Sequence, residues 1–238
     1  MTIVFALLLG LAAEPQQAAL LLDVDGTLAP IVPRPEDARV PDDARAVLGR
    51  LAERYALVAC VSGRTSADAA RVVATDGITY VGEHGLELSP EAEAWAEAVA
   101  AFADSVVWPA ERKRLTVSFH WRTADDEEAA LAELQGIAER ALAEGLRPRF
   151  GRKVLEIRPP IDADKGTAIR QLLDTRRLRR ALYAGDDRTD LDAFRALDGL
   201  EVAVRVAIVS DEAPSELGAA ADLVVGSTEA LLELLRHL

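Results

Sequence analysis

Two aspartates separated by one residue follow the first strand-like apolar segment of the chain. Asp23 and Asp25 come directly after this segment, and Gly26 and Thr27 complete the pattern D-x-D-G-T. Gly26 would let the chain leave the strand sharply, so we expect both carboxylates at the carboxyl end of that strand. Two carboxylates there would bind a hard cation well. The alternative is an ordinary Asp-Gly turn that binds nothing.

Three further polar segments lie where a predicted strand ends or a predicted helix begins. They are Ser62, Gly63 and Arg64 after residues 55–61, Lys165 at the start of a helix, and the run GDDRTD at 185–190 after residues 181–184. Taken singly, Ser62 or Asp190 is more typical of a helix N-cap, and Lys165 of an exposed helix residue. Their joint occurrence with the first pattern instead favours one shared site.

The elements that must position these residues alternate between short apolar runs and helical patterns. Predicted strands cover residues 18–24, 55–61, 78–81, 181–184, 202–208 and 223–225. Predicted helices between them cover residues 42–54, 66–74, 165–173 and 189–197. Continuously apolar strands that alternate with helices indicate an α/β protein with a parallel sheet covered on both faces. Its active site should lie beyond the carboxyl ends of the strands.

Residues 86–162 follow a different pattern, which predicts a smaller α+β domain inserted into the sheet domain. A helix is expected at 91–104, an alternating strand at 115–121, a long helix at 125–143 and a pair of strands around 149–158. The predicted organisation is therefore a core of residues 1–85 and 163–238 with a lid of residues 86–162. A candidate hinge comprises Arg158, Pro159 and Pro160.

Composition excludes several classes of protein. The formal net charge is −13, so the average surface repels nucleic acid and anionic membrane. The longest apolar run, residues 3–13, is too short for a transmembrane helix and lacks a preceding basic residue, so we expect a helix packed on the core instead of a signal peptide. The single cysteine, Cys60, lies in an apolar run and excludes a disulfide framework, which suits the cytoplasm.

The four polar patterns together resemble the motifs of the haloacid-dehalogenase-like (HAD) phosphohydrolases. The resemblance implies a Rossmann-like parallel-sheet core with an inserted α+β cap. It also implies that Asp23 attacks phosphorus as a covalent nucleophile, while Asp25 protonates the leaving oxygen and later activates water. Mg²⁺ would bind Asp23, the Asp25 carbonyl and Asp186, and Ser62 with Lys165 would hold phosphate oxygens.

Four stretches are similar to the trehalose-6-phosphate phosphatases, and they cover both predicted domains. They read YVGEHG at 80–85, SFHWR at 118–122, GRKVLEIRP at 151–159 and GDDRTDLDAF at 185–194. The chain departs from that family's usual pattern at Leu191, where an acid is common, and at Trp121, where Tyr is common. The implied reaction is the hydrolysis of trehalose 6-phosphate to trehalose and phosphate.

The resemblance also implies a set of substrate-binding residues. They are Gly63, Arg64, His84, His120, Arg122, Lys153 and Glu156. From spacing alone, Lys153 and Glu156 are more typical of a solvated charge pair on a strand, and His84 of a turn residue. A polyol needs both hydrogen-bond donors and acceptors, which the lid residues would supply.

Two alternative functions stay open at this point. One is a phosphatase for another phosphosugar, of the sucrose phosphate or glycosylglycerate phosphate type. The other is a catalytically silent carbohydrate-sensing module, against which the presence of Asp23, Asp25, Lys165 and Asp186 argues. The expected partner is a small phosphosugar, and the family leaves open a functional link with a trehalose-phosphate synthase.

Overall fold

A computed structural model describes residues 3–151, 153–209 and 214–238. The chain divides into two compact units. Unit 1 comprises Met1–Gly85 and Ala163–Leu238, and unit 2 comprises Leu86–Asp162. Unit 2 is thus continuous in sequence and interrupts unit 1 once.

Unit 1 is built on a six-stranded sheet whose paired strands all run parallel. Its strands are β1 (Ala18–Leu22), β2 (Leu57–Val61), β3 (Thr79–Val81), β8 (Arg180–Gly185), β9 (Val202–Ile208) and β10 (Leu223–Val225). They lie in the order β10-β9-β8-β1-β2-β3. The expected α/β class, the parallel sheet and all six predicted strands are confirmed, with ends shifted by one or two residues at four of them.

Helices lie between these strands and at both ends of the series. They are α1 (Ile3–Ala13), α2 (Asp42–Arg54), α3 (Ser66–Val73), α6 (Lys165–Arg176), α7 (Asp190–Ala196), α8 (Ser215–Ala220) and α9 (Thr228–Arg236). The predicted helices at 42–54, 66–74, 165–173 and 189–197 are confirmed. The last two helices, α8 and α9, were not predicted, although α9 has a Ser227 N-cap and buries Leu231, Leu232 and Leu235 along one face.

Alternation along the central strands explains why both faces of the sheet are covered. Leu20 and Leu22 of β1 belong to a buried apolar cluster that α1, α2 and α9 also join. Tyr183 of β8, with its side chain on the opposite face by strand alternation, is also fully buried. Cys60 is buried in the same cluster as Leu20, and burial raises the pKa of its thiol, so it is an unreactive core residue.

The position of β1 inside the sheet determines where a site can form. The chain first adds β2 and β3 on one side of β1 and later adds β8, β9 and β10 on the other side. The strand order therefore reverses at β1, and such a reversal opens a crevice at the carboxyl ends of the strands. Asp23, Ser62 and Asp186 each follow one of three adjacent strands, β1, β2 and β8, so their side chains meet at that edge.

Unit 2 contains a four-stranded antiparallel sheet and two α-helices. Its strands are β4 (Ala110–Arg112), β5 (Val117–His120), β6 (Arg147–Gly151) and β7 (Val154–Arg158), in the order β4-β5-β7-β6. Its helices are α4 (Ala96–Asp104) and α5 (Glu127–Ala143), and a 3₁₀ helix at Pro90–Trp95 begins the segment that was predicted as one α-helix. The predicted strands and long helix are confirmed, whereas β4 was missed.

The small sheet has one apolar and one polar face, as antiparallel sheets commonly do. Phe119, Leu155 and Ile157 join an apolar cluster with residues of α4 and α5. The alternate positions carry Ser118, His120 and Glu156. Unit 2 therefore presents a row of polar side chains on the face opposite to its own helices.

Among the described residues, every helix is too short or too polar to cross a lipid bilayer.

Two leucines on α1 test whether this helix packs on the core, as the sequence predicted. Leu11 is 0% exposed and Leu9 is 50% exposed. Leu11→Ala should lower the free energy of unfolding by about 2 to 5 kcal/mol, because it leaves a cavity in the core. Leu9→Ala should change it by less than about 0.5 kcal/mol. Urea unfolding followed by circular dichroism measures both, and an equally small effect of Leu11→Ala would show that α1 is not docked.

Candidate active site

Asp23 lies at the centre of the polar crevice, one residue beyond β1. Its backbone N–H donates to the carbonyl of Ala184 in β8 at 2.9 Å, which fixes the residue at the sheet edge. Its carboxylate is almost fully buried, and Lys165 Nζ lies 2.9 Å from Asp23 Oδ2. Burial raises the pKa of Asp23, as do Asp190 and Asp186, and the Lys165 ammonium opposes them.

Lys165 is the first residue of α6, and its side chain is 2% exposed. A capping box fixes this helix start, because Asp164 accepts the N–H of Thr167 at 2.7 Å and Thr167 accepts the N–H of Asp164 at 2.9 Å. Burial alone would lower the pKa of Lys165, but Asp190 and Asp23 raise it above its ordinary value. The lysine therefore stays charged, and the alternative of an exposed helix residue is wrong.

Asp190 organises the crevice from within, and sequence reasoning missed this role. Its Oδ1 accepts hydrogen bonds from Lys165 Nζ at 2.7 Å and from the hydroxyl of Tyr183 at 2.6 Å. Its Oδ2 accepts the backbone N–H groups of Asp186 and Asp187, both at 2.8 Å. The N-cap of α7 is Thr189, so Asp190 does not cap this helix. The sequence signal for this role was its position four residues after Asp186, which lets its carboxylate reach back to the Asp186 N–H.

Three carboxylates at this edge are suited to a metal ion. Oxygen atoms of Asp23, Asp186 and Asp190 lie within 4.8 Å of one another, and all three residues are buried. Three carboxyl groups share the single ammonium of Lys165, and hard oxygen donors of this kind fit a hard divalent cation. Since Asp190 already accepts four hydrogen bonds, Asp23 and Asp186 are the better candidates for ligands.

Gly26 is required by both conformation and space. Its φ is +79°, and a Cβ at this position would lie 2.2 Å from Asp186 Oδ2. The hydroxyl of the neighbouring Thr27 is buried and donates to Asp186 Oδ1 at 3.4 Å. The turn after β1 therefore brings the backbone of Gly26 against the carboxylate of Asp186.

Asp25, expected to be the proton donor, is held by Arg64. Arg64 Nε donates to Asp25 Oδ2 at 2.7 Å and Arg64 Nη2 donates to Asp25 Oδ1 at 2.7 Å. The same guanidinium binds Asp68 and the carbonyl of Pro35. The sequence assigned Arg64 to substrate binding, whereas the structure places it against another proposed catalytic residue.

Ser62, Gly63 and His84 form one structural group next to β2. Ser62 Oγ accepts the backbone N–H of Arg64 at 3.2 Å and so is not the N-cap of α3, which is Thr65. The His84 N–H donates to the Ser62 carbonyl at 2.9 Å, and a Cβ on Gly63 would lie 2.7 Å from His84 Nε2. His84 adopts a left-handed backbone, with φ of 54°. The backbone of His84 is thus that of a turn, its expected contact with substrate stays a prediction, and a side chain at position 63 would have to displace the imidazole ring.

The sugar-binding candidates in unit 2 separate into two groups. Glu156 is buried, and its Oε1 lies 3.8 Å from Lys113 Nζ. His120 Nε2 lies 2.6 Å from Glu111 Oε2 at the exposed end of β5. Both belong to the polar face of the sheet. The interpretation of Glu156 as half of an exposed charge pair with Lys153 is thus wrong.

Lys153 and Arg122 lie outside the strands of unit 2. Lys153 was expected on a strand, but it occupies the turn before β7 with a φ of 52° and forms an exposed ion pair with Glu127. Arg122 follows β5 and is partly buried. Because of this turn, Lys153 does not share a strand with Glu156, as its position three residues earlier in the sequence had suggested.

The parallel sheet with an inserted α+β unit is the fold of the HAD-like hydrolases. A crystal structure of a haloacid dehalogenase-like hydrolase from Bacteroides thetaiotaomicron matches with a TM-score of 0.61 and 15% identity, covering 92% of this chain and 98% of that one. At this identity the likeness concerns the fold alone, and it confirms the predicted fold class.

The family is narrower than the fold. The family model described as trehalose-phosphatase matches residues 21–222, and the chain therefore belongs to the trehalose-phosphatase family. A trehalose-phosphate phosphatase of Mycobacterium marinum is 36% identical over 211 residues, which are 79% of this chain and 53% of that protein. The C-terminal domain of the C. albicans trehalose-6-phosphate phosphatase matches with a TM-score of 0.76 and 22% identity, covering 97% of this chain and 94% of that one.

The chain is shorter than its curated relatives. It covers about half of the mycobacterial phosphatase, and as little as 16% of another curated relative. Family membership is established for the region that the family model matches, residues 21–222. It confirms the family resemblance seen in the sequence motifs.

Two glycine substitutions of opposite expected sign test the geometry around Asp186. Gly26→Ala should lower the free energy of unfolding by about 2 kcal/mol or more, because the residue has a positive φ and its methyl group would displace the carboxylate of Asp186. Gly136→Ala is the matched control, since Gly136 lies in α5 with no atom near its missing Cβ. That change should stabilise by about 0.5 to 1 kcal/mol. Thermal unfolding measures both, and a neutral Gly26→Ala would contradict the close approach.

Proposed function

We propose that this chain is a Mg²⁺-dependent phosphatase that hydrolyses trehalose 6-phosphate to trehalose and phosphate. The observation that carries the proposal is the buried group of Asp23, Lys165 and Asp190 at the reversal point of the sheet, in a chain of the trehalose-phosphatase family. A carboxylate beside an ammonium and further carboxylates is suited to phosphoryl transfer, in which charge must be balanced around the phosphate.

In the proposed reaction Asp23 is the nucleophile. Its carboxylate oxygen forms a bond to phosphorus while the bond between phosphorus and the sugar oxygen breaks. The Lys165 ammonium and the Ser62 hydroxyl hold phosphate oxygens, with the backbone at Gly63 and the nearby His84 completing this contact. The products of the first step are an aspartyl phosphate on Asp23 and the sugar alcohol, whose oxygen takes its proton as it leaves.

Asp25 moves the protons in both steps. It donates its proton to the leaving sugar oxygen, and the resulting carboxylate then accepts a proton from the water that attacks the aspartyl phosphate. Phosphate leaves, and Asp23 and Asp25 return to their starting states. Mg²⁺, held by Asp23, the Asp25 carbonyl and Asp186, would supply positive charge for the phosphate oxygens and favour the ionised form of Asp23.

Unit 2 is proposed to bind the sugar. The carboxylate of Glu156 accepts hydrogen bonds from sugar hydroxyls, and His120, Arg122 and Lys153 complete the contacts. The support is the row of polar groups on the face of the small sheet that its own helices leave uncovered. A trehalose-phosphate synthase would be the natural supplier of this substrate.

A phosphate-release assay over a panel of esters tests the function. Trehalose 6-phosphate should be the best substrate among phosphosugars that include sucrose phosphate and a glycosylglycerate phosphate. Chelation should abolish turnover and Mg²⁺ should restore it. Asp23→Asn should remove both turnover and the covalent phosphoryl enzyme, because an amide is not a nucleophile. Full activity after chelation would refute the metal site. Faster hydrolysis of another phosphosugar would make that ester the assigned substrate. No turnover of any ester would favour a carbohydrate-sensing module.

Glu156→Ala tests the sugar contacts. If Glu156 binds a hydroxyl, the variant should lower kcat/KM for trehalose 6-phosphate by roughly 10- to 100-fold, because a hydrogen bond to a charged group contributes about 1.5 to 3 kcal/mol. An aryl phosphate without sugar hydroxyls should be hydrolysed at nearly the original rate. Glu128→Ala removes the same group from the exposed surface of α5 and is the matched control.

Equal losses on the sugar ester and the aryl phosphate would indicate damage to the fold or to Asp23 and its neighbours. Full activity of Glu156→Ala towards trehalose 6-phosphate would show that Glu156 has no part in recognising the substrate.

A further inference from the structure

Arg64 has a guanidinium group whose hydrogen bonds are made almost entirely to protein. Nε and Nη2 bind the two carboxylate oxygens of Asp25, both at 2.7 Å. Nη2 also donates to the carbonyl of Pro35 at 3.0 Å, and Nη1 donates to Asp68. An arginine has five N–H donors, so these four bonds leave one donor for anything else.

Arg64 is itself held from several directions. Its backbone N–H donates to Ser62 Oγ and its carbonyl accepts the N–H of Glu83 at 2.7 Å. On the far side, Asp68 lies in the first turn of α3 and also accepts a hydrogen bond from Arg71 at 2.8 Å. The guanidinium plane is therefore fixed before it meets Asp25.

The side chain of Asp25 is partly covered by protein, with 35% of it exposed. The hydrogen bonds described for its carboxyl oxygens come from Arg64. The two parallel hydrogen bonds from Arg64 define both the position and the plane of its carboxylate, as paired bonds between a guanidinium and a carboxylate do. A lysine at position 64 would offer a single point charge without this fork.

We propose that Arg64 is a positioning residue, which orients Asp25 for proton transfer to the leaving oxygen and does not bind the substrate itself. The inference rests on the proposed function. Proton transfer requires the donor oxygen within hydrogen-bond reach of the leaving oxygen, so an unfixed Asp25 carboxyl would deliver the proton less often. Arg64 has no hydrogen bond with Asp23, Lys165 or Asp190 among the contacts described for them. Loss of Arg64 should therefore affect proton transfer by Asp25 without affecting the attack by Asp23.

The role predicts a dependence on the leaving group. A sugar alkoxide leaves poorly without a proton, whereas a nitrophenolate leaves well without one. Arg64→Ala should therefore lower kcat for the best sugar ester of the panel by roughly 10- to 100-fold, within the contribution of acid catalysis. It should change kcat for p-nitrophenyl phosphate by less than about threefold. Arg64→Lys should recover little, because the fork is lost.

Two further measurements separate positioning from a structural role. Guanidinium chloride, at concentrations far below those that unfold the protein, should restore sugar-ester turnover by Arg64→Ala, while sodium chloride at equal ionic strength should not. In the double variant with Asp25→Asn, the loss should equal that of Asp25→Asn alone, because an orienting residue has no effect without the group that it orients.

Asp68→Asn and Arg71→Met provide graded controls on the same chain of contacts. Asp68→Asn keeps Arg64 but weakens the ion pair that holds its guanidinium, so it should cause a smaller loss of kcat, again confined to sugar esters. This variant also provides the test if Arg64→Ala does not fold. Arg71→Met removes only the outermost, half-exposed member and should leave turnover unchanged.

Equal losses of Arg64→Ala on both esters, or losses that multiply in the double variant, would overturn the proposal and assign Arg64 to the substrate or to folding. If Arg64→Ala does not fold, equal losses of Asp68→Asn on both esters would overturn it in the same way. If the unmodified protein hydrolyses none of the esters, the proposed function fails and the role of Arg64 fails with it. If it hydrolyses them and the Arg64 predictions are not met, only this inference is lost.

Discussion

The salt bridge of Lys165 with Asp23 and Asp190 is the interaction on which the rest of the candidate site depends. Its ammonium lies 2.9 Å from one carboxylate and 2.7 Å from the other, and all three side chains are buried. Burying such charges is costly unless every partner is present. Asp190 therefore also needs the hydroxyl of Tyr183 and the N–H groups after β8, and these bonds fix the loop that carries Asp186.

The sheet provides this cluster with partners from distant parts of the sequence. Asp23, Lys165 and Asp190 come from the end of β1 and the starts of α6 and α7, yet β1 pairs directly with β8. The reversal of strand order at β1 brings these ends together, and the capping box at Asp164 fixes the first turn of α6. Fold and site are thus linked: a shift of β1 against β8 would separate the charges that neutralise one another.

The sequence allowed much of this to be predicted because its signals were local. Apolar runs identified the six parallel strands, and the motif residues did lie at their carboxyl ends. Other features, three of which follow, could not be predicted from local pattern. The short strand β4 has no strand-like composition and depends on pairing with β5. Lys153 lies in a turn that spacing could not reveal, and Arg64 pairs with Asp25, a residue 39 positions away. Side-chain partners across such distances follow from the fold and not from local pattern.

Charge around Asp23 explains how an acidic chain can act on an anionic substrate in the proposed reaction. The edge of the sheet carries three carboxyl groups, from Asp23, Asp186 and Asp190, and one ammonium, from Lys165. Arg64 adds little attraction for phosphate, because its hydrogen bonds are made to Asp25, Asp68 and the carbonyl of Pro35. With a net charge of −13 on the whole chain, a phosphate ester would be repelled from this edge. In the proposed reaction, a divalent cation there would offset this charge and let the phosphate ester approach Asp23.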